Sequence, residues 1–298
     1  MLYFSENNSY FCKMMTYAEL WQPLEKQYGK GEAKAIVRLM LEQRFHLSLT
    51  DIVGGKLEQL PAEEVRQLEA IEQRLLAGEP VQYVLGEASF CGRTFHVEPG
   101  VLIPRPETEE LCRWIVEEAE PSVAILDVGT GSGCIACTLA AELPDASVTA
   151  WDISEEALRI AQDNARRCQV DVTFLHQDIM LPYPQAGSSL EGTSAQVWDI
   201  IVSNPPYVCE KERATMEQHV LDYEPELALF VPDDDPLLFY RSILRLAAST
   251  LRSSGRVYFE INPLYVSELT ELLQDSGFHH VTVKEDFLER KRFIRACK

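Results

Sequence analysis

The sequence lacks a basic excess. Its 298 residues carry 27 Lys and Arg against 47 Asp and Glu, a formal net charge of -20. A surface this acidic gains nothing from counterion release on DNA or RNA, so a broad, direct grip on nucleic acid is disfavoured. Solubility, or a basic protein partner, accounts for the sign. The chain also lacks any run of about 20 apolar residues, and its opening stretch MLYFSENNSYFCKMM has no apolar signal core. No membrane partner is therefore expected, and a cytoplasmic location is. The untidy first dozen residues raise the expectation that translation begins at Met14 or Met15. A compact cysteine framework is missing as well. The eight cysteines are scattered, which suits free thiols in a reducing compartment. Cys134 and Cys137 form an isolated Cys-x-x-Cys without a second pair or a nearby His. They sit where a helix begins and read as core packing, not as a metal or redox site. Internal repeats are absent too.

What is present divides into three stretches, as a length of this order allows. Residues 1–78 read as a small helical domain. GEAKAIVRLMLEQRF puts Ile36, Val37, Met40, Leu41 and Phe45 on one face. PAEEVRQLEAIEQRLLAG opens with Pro61, aligns Val65, Leu68, Leu75 and Leu76, and stops at Gly78. Residues 79–104, rich in Val, Tyr, Phe and Thr and broken by glycines, read as a β-hairpin linker. From residue 105 to 298 strands and helices alternate, the pattern of a parallel sheet. A helix is expected from Glu107 to about Glu118. Strands are expected at SVAILDVG, SVTAWD, DVTFLHQD, VWDIIVSN and RVYFEIN, with HHVTVKED and RFIRACK as a closing pair. PQAGSSLEGTSAQV, residues 184–197, reads as a flexible loop.

The first chemical signal is LDVGTGSG, Leu126 to Gly133, between the first of these strands and a helix. Alternate glycines let a backbone pass close to a ligand, and the helix start behind them favours an anion. No Lys-Ser/Thr follows, so the turn is not a P-loop, and its third glycine comes one residue early for Gly-x-Gly-x-x-Gly. Asp152, 23 positions beyond Gly129, ends the next strand, where a carboxylate accepts from both ribose hydroxyls. Asp178 ends the strand after that, placed to accept from an exocyclic adenine amine. Ligands in such sheets bind at the carboxyl ends of the strands. NAD has a pyrophosphate to cradle, whereas S-adenosylmethionine has no phosphate and its amino-acid tail needs only the compact Gly-x-Gly-x-Gly turn, which favours S-adenosylmethionine over NAD.

The second signal is IVSNPPYV. Asn204 precedes a proline and is pushed to an extended backbone, while Pro205 and Pro206 lock their own φ. The stiff corner offers the Asn204 side-chain carbonyl, the Pro205 backbone carbonyl and the Tyr207 ring. Two acceptors gripping the two N–H groups of a planar amine or amide orient its nitrogen and stabilise positive charge developing there. At this level adenine-N6, guanine-N2 and protein glutamine acceptors all remain open.

The sequence resembles the HemK-type peptide chain release factor glutamine methyltransferases of the class I S-adenosylmethionine-dependent group. The resemblance is carried by NPPY, by GEPVQYVLGEASFCGRTFHVEPGVLIPRPETEEL (Gly78 to Leu111) with its IPRPETE signature, by EPELAL (Glu224 to Leu229) and by LLFYRSIL. It implies a Rossmann-like, mostly parallel α/β sheet with an antiparallel last strand, a helical N-terminal domain and a hairpin linker that help hold the release factor. It implies N5-methylation of the glutamine in the Gly-Gly-Gln motif of class 1 release factors, with S-adenosylhomocysteine as the spent donor; a monomer is expected. The family's donor site maps onto Gly129, Thr130, Gly131, Ser132, Gly133, Asp152, Asp178, Ile179 and Asn204, and its substrate clamp onto Asn204, Pro205, Pro206 and Tyr207. Arg105 and Glu107 read as a brace for the linker or as salt-bridge partners. The chain departs from the family at EINPLY, at Ile179 and at DDDP around Asp233. Two rival readings remain: a nucleic-acid N-methyltransferase, and a non-catalytic donor-binding module of the translation machinery.

Overall fold

The computed structural model describes residues 16–182 and 197–298. The candidate starts at Met14 and Met15, and the loop expected over 184–197 apart from Val197, lie outside the described residues. The chain forms two compact units, one ending at Leu85 and one running from Gly86 to Lys298.

The first unit is helical: α1 (Tyr17–Trp21), α2 (Glu25–Phe45), α3 (Leu49–Val53), α4 (Ala62–Leu76) and α5 (Val81–Leu85). Thr16 and Ser48 cap α1 and α3 through reciprocal bonds with Glu19 and Asp51, which satisfies N–H groups that a helix start leaves open. The face Ile36, Val37, Met40, Leu41 and Phe45 of α2 is buried as its spacing predicts. In α4 the buried stripe is Leu68, Ile71 and Leu75, while Leu76 stands 38% exposed. Ile71 lies three residues after Leu68 and four before Leu75, on the same face, and Leu76 falls one step round the helix. The expected linker also begins later than its composition indicates. VQYVL is the helix α5, opened by the Val84 N–H bonding to the Pro80 carbonyl at 3.0 Å. Val81 and Val84 complete the core of this unit, and that burial outweighs their β-propensity.

The second unit opens with a hairpin, β1 (Glu87–Phe90) and β2 (Arg93–His96), followed by α6 (Pro106–Glu118). Then come β3 (Ala124–Val128), α7 (Cys134–Glu142), β4 (Ser147–Asp152), α8 (Glu155–Cys168), β5 (Thr173–His176), β6 (Trp198–Ser203), β7 (Val208–Cys209), α9 (Gln218–Tyr223), β8 (Phe230–Val231), α10 (Leu238–Thr250), β9 (Leu251–Glu260), α11 (Val266–Asp275), β10 (His279–Glu285) and β11 (Lys291–Cys297). Seven strands form one sheet in the order β10-β11-β9-β6-β3-β4-β5. Every pairing from β9 to β5 is parallel, and β11 runs antiparallel to both neighbours. This is the Rossmann-like class I methyltransferase sheet with its antiparallel last strand.

Alternation along the strands divides the core between two faces. Ile125, Ala150 and Ile200 pack with α6 and α7, whereas Leu126, Trp151 and Ile201 pack with α10 and α11. Cys137 is fully buried in the first of these cores. Strand order reverses at β3: the chain moves from β3 to β4 and β5 on one side, then crosses to β6 on the other. The crevice at the carboxyl ends of strands around such a reversal is where α/β sheets bind ligands. Both chemical motifs stand there, the glycine turn after β3 and the NPPY corner after β6.

Candidate active site at the carboxyl edge of the sheet

The glycine turn is held from three sides. The N–H groups of Gly129 and Thr130 both donate to the Trp151 carbonyl, at 2.9 and 3.0 Å. The Gly131 N–H donates to Asp152 Oδ2 at 2.8 Å. Behind the turn, Thr130 Oγ1 donates to Asp127 Oδ2 at 2.6 Å. Asn164 of α8, fully buried, donates through Nδ2 to the Ser132 carbonyl at 2.9 Å and to the His96 carbonyl at 2.9 Å, and accepts the His96 N–H at 2.7 Å. One amide thus ties the turn to the hairpin. Gly129, Gly131 and Gly133 have φ of 74°, 54° and 79°, a region that side-chain-bearing residues adopt at a cost. A Cβ on Gly129 or Gly131 would meet nothing within 4 Å, whereas one on Gly133 would lie 3.0 Å from the Ala161 methyl.

The turn forms one wall of a cavity of about 450 Å³, within the usual range for small-ligand sites. Asp152 and Asp178 stand on its rim with Ile179, and Phe239 and Ile243 of α10 add apolar wall. Asp152 accepts from the Gly131 and Ser154 N–H groups through different oxygens, which leaves each oxygen a lone pair for a ligand. Burial pushes its carboxyl up, opposed by those backbone bonds. Burial also pushes the Asp127 carboxyl up to about 7, with the Thr130 hydroxyl acting against it.

The NPPY corner closes the other end. Ser203 Oγ, fully buried, donates to the Val128 carbonyl at 2.6 Å and pins the end of β6 to the end of β3. Asn204 and Pro205 line the first cavity and also a second one of about 370 Å³, whose wall includes Tyr207, Glu260 and Arg105. Tyr207 Oη donates to Glu260 Oε1 at 2.9 Å. Its phenol is raised by burial and by the Glu260 charge. The Tyr207 carbonyl accepts from Asn262 Nδ2 at 3.1 Å. The IPRPETE loop is anchored by Glu224, whose buried carboxylate accepts the Ile103 N–H at 3.1 Å and pairs with Arg105 at 2.6 Å. Glu109 of the same motif accepts the Cys91 N–H of the hairpin turn at 3.0 Å.

Comparison with known proteins bears on this geometry. The family model Methyltransferase small domain matches residues 108–222, and PrmC N-terminal domain matches residues 23–86. A release factor glutamine methyltransferase of Bacteroides thetaiotaomicron is 47% identical over 279 residues, covering 94% of this chain and 98% of its own. One from Flavobacterium psychrophilum is 42% identical, covering 92% and 95%. The chain belongs to the release factor glutamine methyltransferase family. A methyltransferase of known structure from Pyrococcus furiosus shares the fold, with a TM-score of 0.50 at 16% identity, covering 77% of this chain and 98% of that one.

In this member of the release factor glutamine methyltransferases, most residues singled out from sequence converge on one cavity. Gly129, Thr130, Gly131, Ser132, Asp152, Asp178, Ile179, Asn204, Pro205 and Pro206 all line it. Gly133 is not on its wall and faces α8 instead. Tyr207 lines the second cavity alone. Of the departures, Asn262 in EINPLY lies against the Tyr207 carbonyl, and Asp233 accepts the Lys211 N–H at 2.9 Å; neither lines the first cavity. Sequence reasoning passed over Asp127, Thr108, Phe239 and Glu260. Asp127, a carboxylate inside an otherwise apolar strand two residues before Gly129, is a signal that was available. Glu260, at the end of VYFE, is another. Thr108 and Phe239 carry no such mark.

Proposed function

We propose that this chain transfers a methyl group from S-adenosylmethionine to the side-chain amide nitrogen, N5, of the glutamine in the Gly-Gly-Gln motif of class 1 peptide chain release factors. The observation that carries the reading is the position of Asn204 and Pro205, shared by two cavities, one backed by the glycine turn and the other by Tyr207.

The first cavity suits the donor. The open space over Gly129 and Gly131 admits an amino-acid tail against the backbone. Asp152 holds the ribose hydroxyls with its remaining lone pairs, Asp178 accepts from the adenine amine, and Ile179 packs on the ring. The bound donor supplies an electrophilic methyl on a sulfonium. From the second cavity the Asn204 side-chain carbonyl and the Pro205 backbone carbonyl each accept one N–H of the glutamine amide, and Tyr207 packs beside its plane. Holding the weakly nucleophilic nitrogen in line replaces a bimolecular encounter, an advantage of about 7–11 kcal/mol in well-oriented systems. The two carbonyls also stabilise positive charge gathering on that nitrogen, and the product amide loses its extra proton to water. The helical N-terminal unit and the hairpin take part in holding the release factor.

The test is mass spectrometry of the Gly-Gly-Gln peptide after incubation of a class 1 release factor with the protein and labelled donor. A gain of one methyl on glutamine is expected. Asn204→Ala should bind donor normally and lose turnover by about 100-fold or more, the scale for one preorganised hydrogen-bonding partner at a site of developing charge. Label appearing only in ribosomal RNA or DNA offered in parallel would overturn the reading.

A further inference from the structure

Asn204 is useful as an acceptor only if its amide faces one way. Turned by 180°, it offers N–H groups to N–H groups. The corner's rigid backbone does not settle this, because the flip is a side-chain rotation.

Behind Asn204 lies a short chain of donors and acceptors. Asn204 Nδ2 is 3.3 Å from Thr108 Oγ1, and Thr108 Oγ1 is 2.6 Å from Glu260 Oε2. Glu260 ends β9, is 2% exposed, and receives the Tyr207 hydroxyl on its other oxygen at 2.9 Å. Tyr240 Oη donates to its backbone carbonyl at 2.9 Å, which fixes the strand end. A hydroxyl has one proton, and a carboxylate only accepts. The Thr108 proton therefore goes to Glu260, and the Thr108 oxygen is left as an acceptor toward Asn204. Only the NH2 edge of Asn204 satisfies it, so Oδ1 must point the other way. Burial raises the Glu260 carboxyl; the Thr108 and Tyr207 hydroxyls and the Arg292 guanidinium act to keep it ionised.

We propose that Thr108 and Glu260 are positioning residues for methyl transfer: the buried Glu260 carboxylate accepts the Thr108 hydroxyl hydrogen bond and thereby locks the Asn204 amide with its carbonyl toward the acceptor glutamine. The inference rests on the reading of Asn204 as an amide clamp. The same carboxylate sets the Tyr207 ring through the phenol, so one buried charge orients two members of the corner. A hydrogen-bond chain that ends on a charge is polarised along its length, which makes the Asn204 carbonyl a stronger acceptor where positive charge develops.

The experiment compares Thr108→Val, Thr108→Ser, Glu260→Gln and the Thr108→Val/Glu260→Gln pair with Asn204→Ala, in the full-length protein with a class 1 release factor. Turnover, the release-factor KM, donor affinity by calorimetry and melting temperature are read for each. Thr108→Val and Glu260→Gln should lose up to about 100-fold in kcat, the cost of a misplaced positioning group, with KM and donor affinity little changed. Thr108→Ser, which keeps the hydroxyl, should restore kcat to within about threefold of the parent. The pair should be no worse than Glu260→Gln alone, because both act through one chain. Parental kcat in folded Thr108→Val, with Asn204→Ala inactive, would overturn the positioning role and leave the clamp standing. Parental kcat in Asn204→Ala would overturn both. A Thr108→Ser variant as impaired as Thr108→Val would show that packing, not the hydroxyl, matters there. If Glu260→Gln does not fold, the Val and Ser pair decides.

Discussion

Gly129 and Gly133 share a left-handed backbone but differ in what stands opposite, and this makes a sharp prediction. Replacing either by Ala places a Cβ on a residue at φ of 74° or 79°, a conformational cost of about 1–2 kcal/mol. At Gly129 the new methyl meets open space. At Gly133 it lies 3.0 Å from the Ala161 Cβ and 3.2 Å from the Ala161 Cα on α8, and such overpacking adds about 1–3 kcal/mol. Gly133→Ala should then cost about 2–5 kcal/mol in all, and Gly129→Ala about 1–2. For a unit of this size 1 kcal/mol moves the melting temperature by about 2–4 °C. Gly133→Ala should accordingly melt several degrees below Gly129→Ala. Donor affinity should show the reverse order per unit of stability lost, because Gly129 lines the first cavity and Gly133 does not. The close approach also has a purpose: Asn164, three residues after Ala161 on the same helical face, reaches the Ser132 carbonyl only because α8 lies this near the turn. Urea denaturation of Gly133→Ala, Ala161→Gly and the double variant completes the argument. Ala161→Gly alone weakens the helix by about 1 kcal/mol, and the cycle removes that cost from the comparison. A favourable coupling of about 1–3 kcal/mol is expected in the double variant. Equal melting of the Gly129 and Gly133 variants, or zero coupling, would refute the claim that helix contact is why residue 133 is glycine.

Asp127 gives a pH signature. Its carboxyl is pushed up to about 7 in the folded protein against an ordinary value of 3.8, so between those values the folded state holds a proton that the unfolded chain releases. Stability from this group therefore falls as pH rises from about 4 to 7, by about 4 kcal/mol in all. Asp127→Asn should gain in urea midpoint relative to the parent at pH 8 and not at pH 4; an equal offset at both would contradict the assignment. Arg105→Met leaves the Glu224 side chain, 1% exposed, with the Ile103 N–H but no cation, at a cost of about 3–5 kcal/mol. Thermal melts should show Arg105→Met/Glu224→Met recovering much of that loss, since the pair is removed together; a double variant worse than the single would count against this account.

Patterns that repeat over a few residues were legible in advance. The strand and helix alternation, the helix start at Cys134, the apolar face of α2 and the two motif turns all follow from periodicity, glycine and proline, which act locally. That Asp152, the last residue of β4, and Asp178, two residues past β5, stand beside the first cavity was readable because a parallel sheet puts successive strand ends at one edge. Misreadings came where tertiary burial outweighed local preference. VQYVL has strand-forming residues yet completes a helical core as α5, and Ile71 takes the buried place assigned to Leu76.

What the sequence by itself determined is the kind of chemistry: a glycine turn, two acids and a proline-stiffened amide, each written in a short stretch. Only the tertiary structure decided which groups stand around that amide. Thr108 and Glu260 are 152 residues apart, Arg105 and Glu224 are 119 apart, and Asn164 and His96 are 68 apart. No local propensity links such pairs. The corner after β6 meets Glu260 because β6 lies beside β9 in the sheet, which brings Tyr207 within hydrogen-bonding reach of a carboxylate ending the next strand; the other pairs likewise join segments that only the fold brings together.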